Sequence, residues 1–148
     1  MPSEQLENLA RSGQLQPEAP DEREIAGLVC SGEERLRDAE RTDLSISSRF
    51  DLAYNAAHAL ALAALRLRGY RPANRFVVFQ TLAHTIDLPA EQWRVLATAH
   101  AKRNNVEYGG LADIDKEFVA AILRVTSEVA TRVKSGQRRQ FSNSVHPP

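Results

Sequence analysis

The chain has 148 residues, a single cysteine, and 19 acidic side chains balanced by 19 basic ones, which fits one domain able to bury roughly two thirds of the surface its unfolded form exposes. Cys30 alone excludes an internal disulfide framework and any multi-cysteine metal site, and no apolar run approaches the ~18–20 residues of a membrane span. The acidic opening Met1-Pro2-Ser3-Glu4-Gln5 lacks the basic-then-apolar pattern of a secretory signal, so the chain is read as cytoplasmic and without membrane contact.

In chain order, Ser3 to Ser12 is expected to form a short helix that docks through Leu6 and Leu9, stopped by Gly13. Gln14 to Pro20, with Pro17 and Pro20, reads as a linker laid over the surface. The first long helix is expected from about Asp21 to Arg41. Its first turn is acidic (Asp21, Glu22, Glu24), and Ile25, Leu28, Val29, Leu36 and Ala39 form one apolar stripe. Gly32 interrupts it and allows close approach of a neighbour.

Ser45 to Ser48 offers N-cap oxygens, with Ser48 and Asp51 at capping-box spacing. The second helix then runs to about Arg68 and ends at Gly69. It is Ala/Leu-rich nearly all round, which makes it the central helix, and Arg66 and Arg68 in its last turn suit the negative end of the dipole. Tyr70-Arg71-Pro72 reads as a turn, and Pro72 as the opening of a shorter helix from Ala73 to about Thr85. The β-branched and aromatic stretch Phe76 to Phe79 could pass for a strand, but a strand there would have no partner, so helix is preferred.

Pro89 opens the third long helix, which extends to about Glu107 with Trp93, Leu96 and His100 facing inward and Gly109-Gly110 ending it. Asp113 is the expected cap of the last helix, whose apolar residues Phe118, Ile122, Val125, Val129 and Val133 step by three and four. The domain division expected is an extension and linker over 1–20, a helical bundle over 21–136, and a frayed polar tail over 137–148. The fold class is all-α, a small antiparallel bundle.

Charge is unevenly laid out along this order. Residues 1–40 carry a net −6 and residues 121–148 a net +4, with Arg132, Lys134, Arg138 and Arg139 at the basic end. Such runs are usually solvated faces, and the neutral total argues against strong, sequence-independent binding to a phosphate backbone.

Two polar stripes stand out. Asp51, Asn55 and His58 are spaced i, i+4, i+7 on the otherwise apolar second helix. Buried polar groups cost free energy unless partnered, so this stripe faces water, a partner or a cleft; it is equally the pattern of satisfied groups at a helix seam. On the third helix His100, Arg103 and Glu107 share a face, with Asn104 and Tyr108 beside it. An Arg103–Glu107 ion pair would account for part of that face. If the two helices are neighbours the stripes meet, and an arginine in a cleft is a ready fork for phosphate or carboxylate. His58, His84 and His100 lie on three different helices in no metal-binding pattern, so neither metal nor cofactor is expected.

The block Arg49-Phe50-Asp51-Leu52-Ala53-Tyr54-Asn55-Ala56-Ala57-His58-Ala59-Leu60 leads into a Leu/Ala helix and Gly69-Tyr70-Arg71-Pro72, and is followed later by Arg103-Asn104-Asn105-Val106-Glu107-Tyr108. Together these resemble the HEPN (higher eukaryotes and prokaryotes nucleotide-binding) domain, over about Ile25 to Val133. The resemblance implies an up-and-down bundle of four main helices with a short extra helix between the second and third, often dimerised around the motif helices. It also implies three kinds of role: ribonuclease, toxin paired with a nucleotidyltransferase-like antitoxin, or inactive relative that binds nucleotide or protein. Arg103 matches the family arginine and Asn104 the polar residue after it. Where family ribonucleases carry a histidine, this chain has Tyr108, whose phenol, with an ordinary pKa near 10, is a poor general base at neutral pH.

The departure favours a binding module, a homodimer in which Asp51, Asn55, His58, His100, Arg103, Asn104, Glu107 and Tyr108 line a cleft for nucleotide or RNA. The second reading is a metal-independent endoribonuclease in which Arg103, Tyr108 and His58 carry the chemistry. The third is a purely structural or regulatory bundle.

Overall fold

The computed structural model describes residues 3–109 and 114–142, the side chains of 105–109 excepted. The described residues form an all-α helical bundle with one very short two-stranded sheet.

Helix α1 (Glu4–Arg11) starts where the Ser3 hydroxyl accepts from the Leu6 amide, and Gly13, at φ +86°, turns the chain after it. Strand β1 (Leu15–Pro17) follows. Helix α2 (Glu22–Ala39) is capped by the Asp21 carboxylate, which accepts from the amides of Arg23 and Glu24. Helix α3 (Ile46–Leu67) starts at Ser45, whose hydroxyl accepts from the Ser48 amide, and Gly69 at φ +84° takes the chain out of it. Strand β2 (Tyr70–Pro72) comes next.

Helix α4 (Arg75–Gln80) is capped by Asn74, whose side chain accepts from the Val77 amide, and α5 (Leu82–Thr85) follows directly. The last two helices are α6 (Ala90–Gly109) and α7 (Lys116–Phe141), the latter capped by the Asp115 carboxylate.

Helix α3 is the centre. Its buried residues run from Phe50 to Leu67 and include Ala53, Ala56, Ala57, Leu60, Ala61 and Ala64, the alanines letting neighbouring backbones come close. α2 and α7 pack on it and on each other, while α6 packs chiefly on α4 and α7. Gly32 of α2 is the closest approach: a Cβ built there would lie 2.6 Å from Leu60 Cγ, so the glycine is the room in which Leu60 sits. Ile122, Val129 and Val133 of α7 and Leu96 of α6 complete the core.

Several sequence expectations are corrected. Gln14–Pro20 is more than a linker laid over the surface, since within it β1 pairs antiparallel with β2, Leu15 opposite Pro72 and Pro17 opposite Tyr70. Tyr70-Arg71-Pro72 is therefore strand rather than turn, and Pro72 does not open α4; Asn74 does, because its side chain supplies the cap that proline cannot. The helix expected over 73–85 is broken at Thr81 into α4 and α5. Finally, α7 is capped by Asp115, the expected cap Asp113 lying outside the described residues, and it stays helical through Phe141, so Gln137 to Phe141 extend the last helix.

The 1–20 extension is also part of the body. Leu6 and Leu15 are fully buried in a second apolar cluster with Leu65 and Val77. No helix among the described residues is long and apolar enough to cross a membrane.

Candidate functional site

The two polar stripes meet, but through a residue that neither contains. Tyr54 of α3, buried to 1 % exposure, shares a hydrogen bond of 3.0 Å with His100 Nδ1 of α6. His58, one turn after Tyr54, stacks beside the same phenol with ring centroids 6.5 Å apart, and His100 lies at 6.3 Å. The Arg103 guanidinium carbon sits 4.8 Å from the centroid of the Tyr54 ring, in cation–π range. α4 closes the cluster: Phe79 meets Tyr54 and His58 edge-on at 5.8 and 6.0 Å, and Phe76 approaches His100 at 6.0 Å.

Sequence periodicity explains the convergence. Tyr54 and His58 are one turn apart and so share a face of α3. His100 and Arg103 are likewise neighbours on α6, and α4 carries Phe76 and Phe79 at i, i+3.

Burial and the nearby cations act on the two imidazoles in the same direction. Burial pushes the His58 imidazole down to about 4, and the nearby charges of Arg75, His100 and Arg103 add to the effect. His100 is lowered as well, first by burial and then by Arg75 and Arg103. Both rings are therefore uncharged at neutral pH, each offering one donor and one acceptor nitrogen. His58 Nε2 is buried and has no hydrogen-bond partner among the described residues. Two guanidinium groups and two neutral imidazoles, with an orphaned nitrogen among them, suit an incoming oxyanion.

The other residues singled out from the sequence behave differently. Asp51 is exposed near the start of α3, and Asn55 donates from Nδ2 back to the Asp51 carbonyl at 2.9 Å, so of that stripe only His58 enters the cluster. Asn104 is exposed on α6. The side chains of Glu107 and Tyr108 lie outside the described residues. His84 lines a slot beside Phe76, and no three His, Cys, Asp or Glu side chains gather among the described residues in a metal-binding group.

Sequence reading passed over Tyr54, Arg75, Phe76 and Phe79. The i, i+4 spacing of Tyr54 and His58 was the available signal for the first. The other three sit on α4, whose position across the seam no local pattern gives. Phe76 is the notable one, an aromatic ring left 49 % exposed. It forms one wall of a slot of about 650 Å³, with Trp93 and His84 as further rings and the amides of Gln5, Gln14 and Gln80 at its edges.

No family model, curated protein or solved structure matches the chain.

Proposed function

We propose that the chain is a HEPN-like helical binding module that takes a nucleotide or RNA phosphate at the seam between α3, α4 and α6, working as a homodimer. The observation that carries this reading is the placement of Arg103 over Tyr54 beside two uncharged imidazoles, with the exposed Arg75 on the same side. A guanidinium fork supplies charge and paired N–H donors to phosphate oxygens, and the imidazoles add N–H donors without adding a like-charged crowd. The slot beside Phe76 offers what a nucleobase needs next to a phosphate: aromatic faces for stacking and amide groups for its polar edges.

Calorimetric titration with nucleoside monophosphates and short single-stranded RNAs tests it. Binding that weakens at least tenfold in Arg103→Ala and in Arg75→Ala, and weakens as salt is raised, supports the reading. Silence across that panel removes it and leaves a structural or regulatory bundle. Sedimentation of the free and loaded chain reads the dimer.

A second reading, metal-independent cleavage of RNA by a toxin with a nucleotidyltransferase-like antitoxin, draws on the same imidazoles. With Tyr108 in the place of the family histidine, His100 and His58 are the available proton carriers beside Arg103. It requires cutting of single-stranded RNA in EDTA that Arg103→Ala abolishes. Cutting that survives the substitution, or no cutting at all, rejects it.

A further inference from the structure

A second cleft, of about 700 Å³, opens elsewhere on the bundle, between the end of α3, the α5–α6 turn and the last turns of α7. Its lining is sharply divided. Ala64, Leu67 and Ile86 make an apolar floor, and three arginines, Arg68, Arg132 and Arg139, stand around it with Asp87 as the one carboxylate in the lining.

The guanidinium groups are held in place by backbone. Arg68 donates from Nη1 to the carbonyls of His84 and Thr85 at 3.2 and 3.3 Å. Arg132 donates from Nη1 to the carbonyls of Ile86 and Asp87 at 3.0 and 2.8 Å and from Nε to Glu128 at 2.7 Å. Asp87 holds φ at +54°, a left-handed conformation that side chains other than glycine adopt at a cost, and this bend is where its carbonyl meets Arg132.

Arg139 donates from Nη1 to the Ser135 hydroxyl at 2.9 Å and forms no ion pair among the described residues. Its other terminal nitrogen lies over Gly136, where an added Cβ would come 3.8 Å from it and 3.7 Å from Leu67 Cδ1. Gly136 thus leaves the gap between the apolar floor and the cationic rim. Thr85 also lines the cleft, with its hydroxyl turned into the protein.

We propose that this cleft is a binding site for a small organic oxyanion, a phosphate or carboxylate head on a compact apolar body, with the head between Arg132 and Arg139 and the body on Leu67 and Ile86. It is independent of the α3–α4–α6 seam, because none of its residues takes part in the Tyr54 cluster. The division of the lining is the argument. An inorganic ion would leave the apolar floor wet, and a neutral apolar molecule would leave Arg139 without a counter-charge beside it.

Phenyl phosphate, benzoate, inorganic phosphate and phenol, titrated separately into the full-length chain and followed by amide NMR shifts, provide the test. Phenyl phosphate or benzoate should bind at least tenfold more tightly than inorganic phosphate and than phenol, with shifts at residues 64–68, 84–87 and 131–140. Arg139→Gln should weaken that binding at least fivefold, and Gly136→Leu, which fills the gap while favouring helix, should abolish it. Arg103→Ala should leave it unchanged. Thermal melts of each variant establish that it is folded. No binding of either aryl anion at millimolar concentration overturns the proposal, as does binding that Arg139→Gln and Gly136→Leu leave intact in folded protein. Binding lost in Arg103→Ala instead would place the anion in the other cleft and overturn it equally.

Discussion

His58 is the residue at which stability and the site are most directly joined. Its imidazole is held at about 4 when the chain is folded, against an ordinary value near 6.5, because burial and the Arg75, His100 and Arg103 charges oppose the added proton. Between those two values the unfolded chain binds more protons than the folded one, so stability falls as pH drops from about 6.5 toward 4. Allowing for the partial exposure of the ring, the loss is on the order of 1–2 kcal/mol. Urea midpoints measured between pH 7.5 and 4.5 should fall in the wild type and fall distinctly less in His58→Phe, which keeps a ring against Tyr54 and removes the titrating group. Equal slopes in the two proteins would deny the shift. His100 gives the converse effect on binding. Arg75 and Arg103 depress it in the free protein, and a phosphate between them would cancel that charge and raise it. Proton uptake would then accompany binding, so affinity for a nucleoside monophosphate should rise as pH is lowered from 7.5 to 6, and the His100 ring resonances in NMR titrations should move to a higher pKa on loading.

At the scale of elements, what periodicity could reach was found and what long-range pairing decides was not. The Ala-rich α3 with its buried face, the positions of α2, α6 and α7, and the role of Gly32 follow from local spacing, which is why Gly32 can be tested as a packing site. Gly32→Ala should gain helix propensity of about 1 kcal/mol and lose more than that against the fully buried Leu60, for a net destabilisation of about 1–2 kcal/mol. In a Leu60→Ala background the same change should become neutral or stabilising; a double-mutant cycle in urea measures the difference. The two-stranded sheet was hidden because its strands are three residues each and separated by two helices, and neither alternates enough to announce itself. Arg66 does lie in the last turn of α3, as expected, but long-range pairing decides its surroundings. It looked like a last-turn cation facing the dipole, yet it is fully buried, donating to Glu24 and to the carbonyls of Glu18, Ala19 and Tyr70. The hydrogen bond from Arg66 holds the Glu24 carboxyl below its ordinary range, and Arg71 reinforces it. Arg66→Met would leave those carbonyls without their donor and Glu24 with Arg71 alone, and should cost about 3–5 kcal/mol, read from the urea midpoint.

Over the whole molecule the uneven charge turns out to be an assembly pattern. The acidic first 40 residues reach across the fold to the basic stretches: Glu18 and Glu24 to Arg66 and Arg71, and Glu33 to Lys134 at 2.8 Å. Of the basic end, Lys134 pairs with Glu33 of the acidic stretch and Arg132 with Glu128 of its own helix. The same pairing makes residues 1–20 part of the fold. Removing them strips two fully buried leucines from Leu65 and Val77, leaves β2 without its partner, and takes Glu18 and two carbonyl acceptors from the buried Arg66. Burying two leucines alone contributes roughly 3–6 kcal/mol, a large share of the 5–15 kcal/mol that keeps a domain folded. A chain of residues 21–148 should therefore have a urea midpoint lowered by at least half or have no cooperative transition, whereas the full chain should unfold in one step seen alike by far-ultraviolet circular dichroism and by Trp93 fluorescence. Trp93 lines the slot with Gln5 and Leu9, so its emission should already be red-shifted in the shortened chain before any denaturant is added. An unshifted emission together with an unchanged midpoint would mean that α1 and β1 lie on the bundle without supporting it, and that the buried leucines contribute nothing to it.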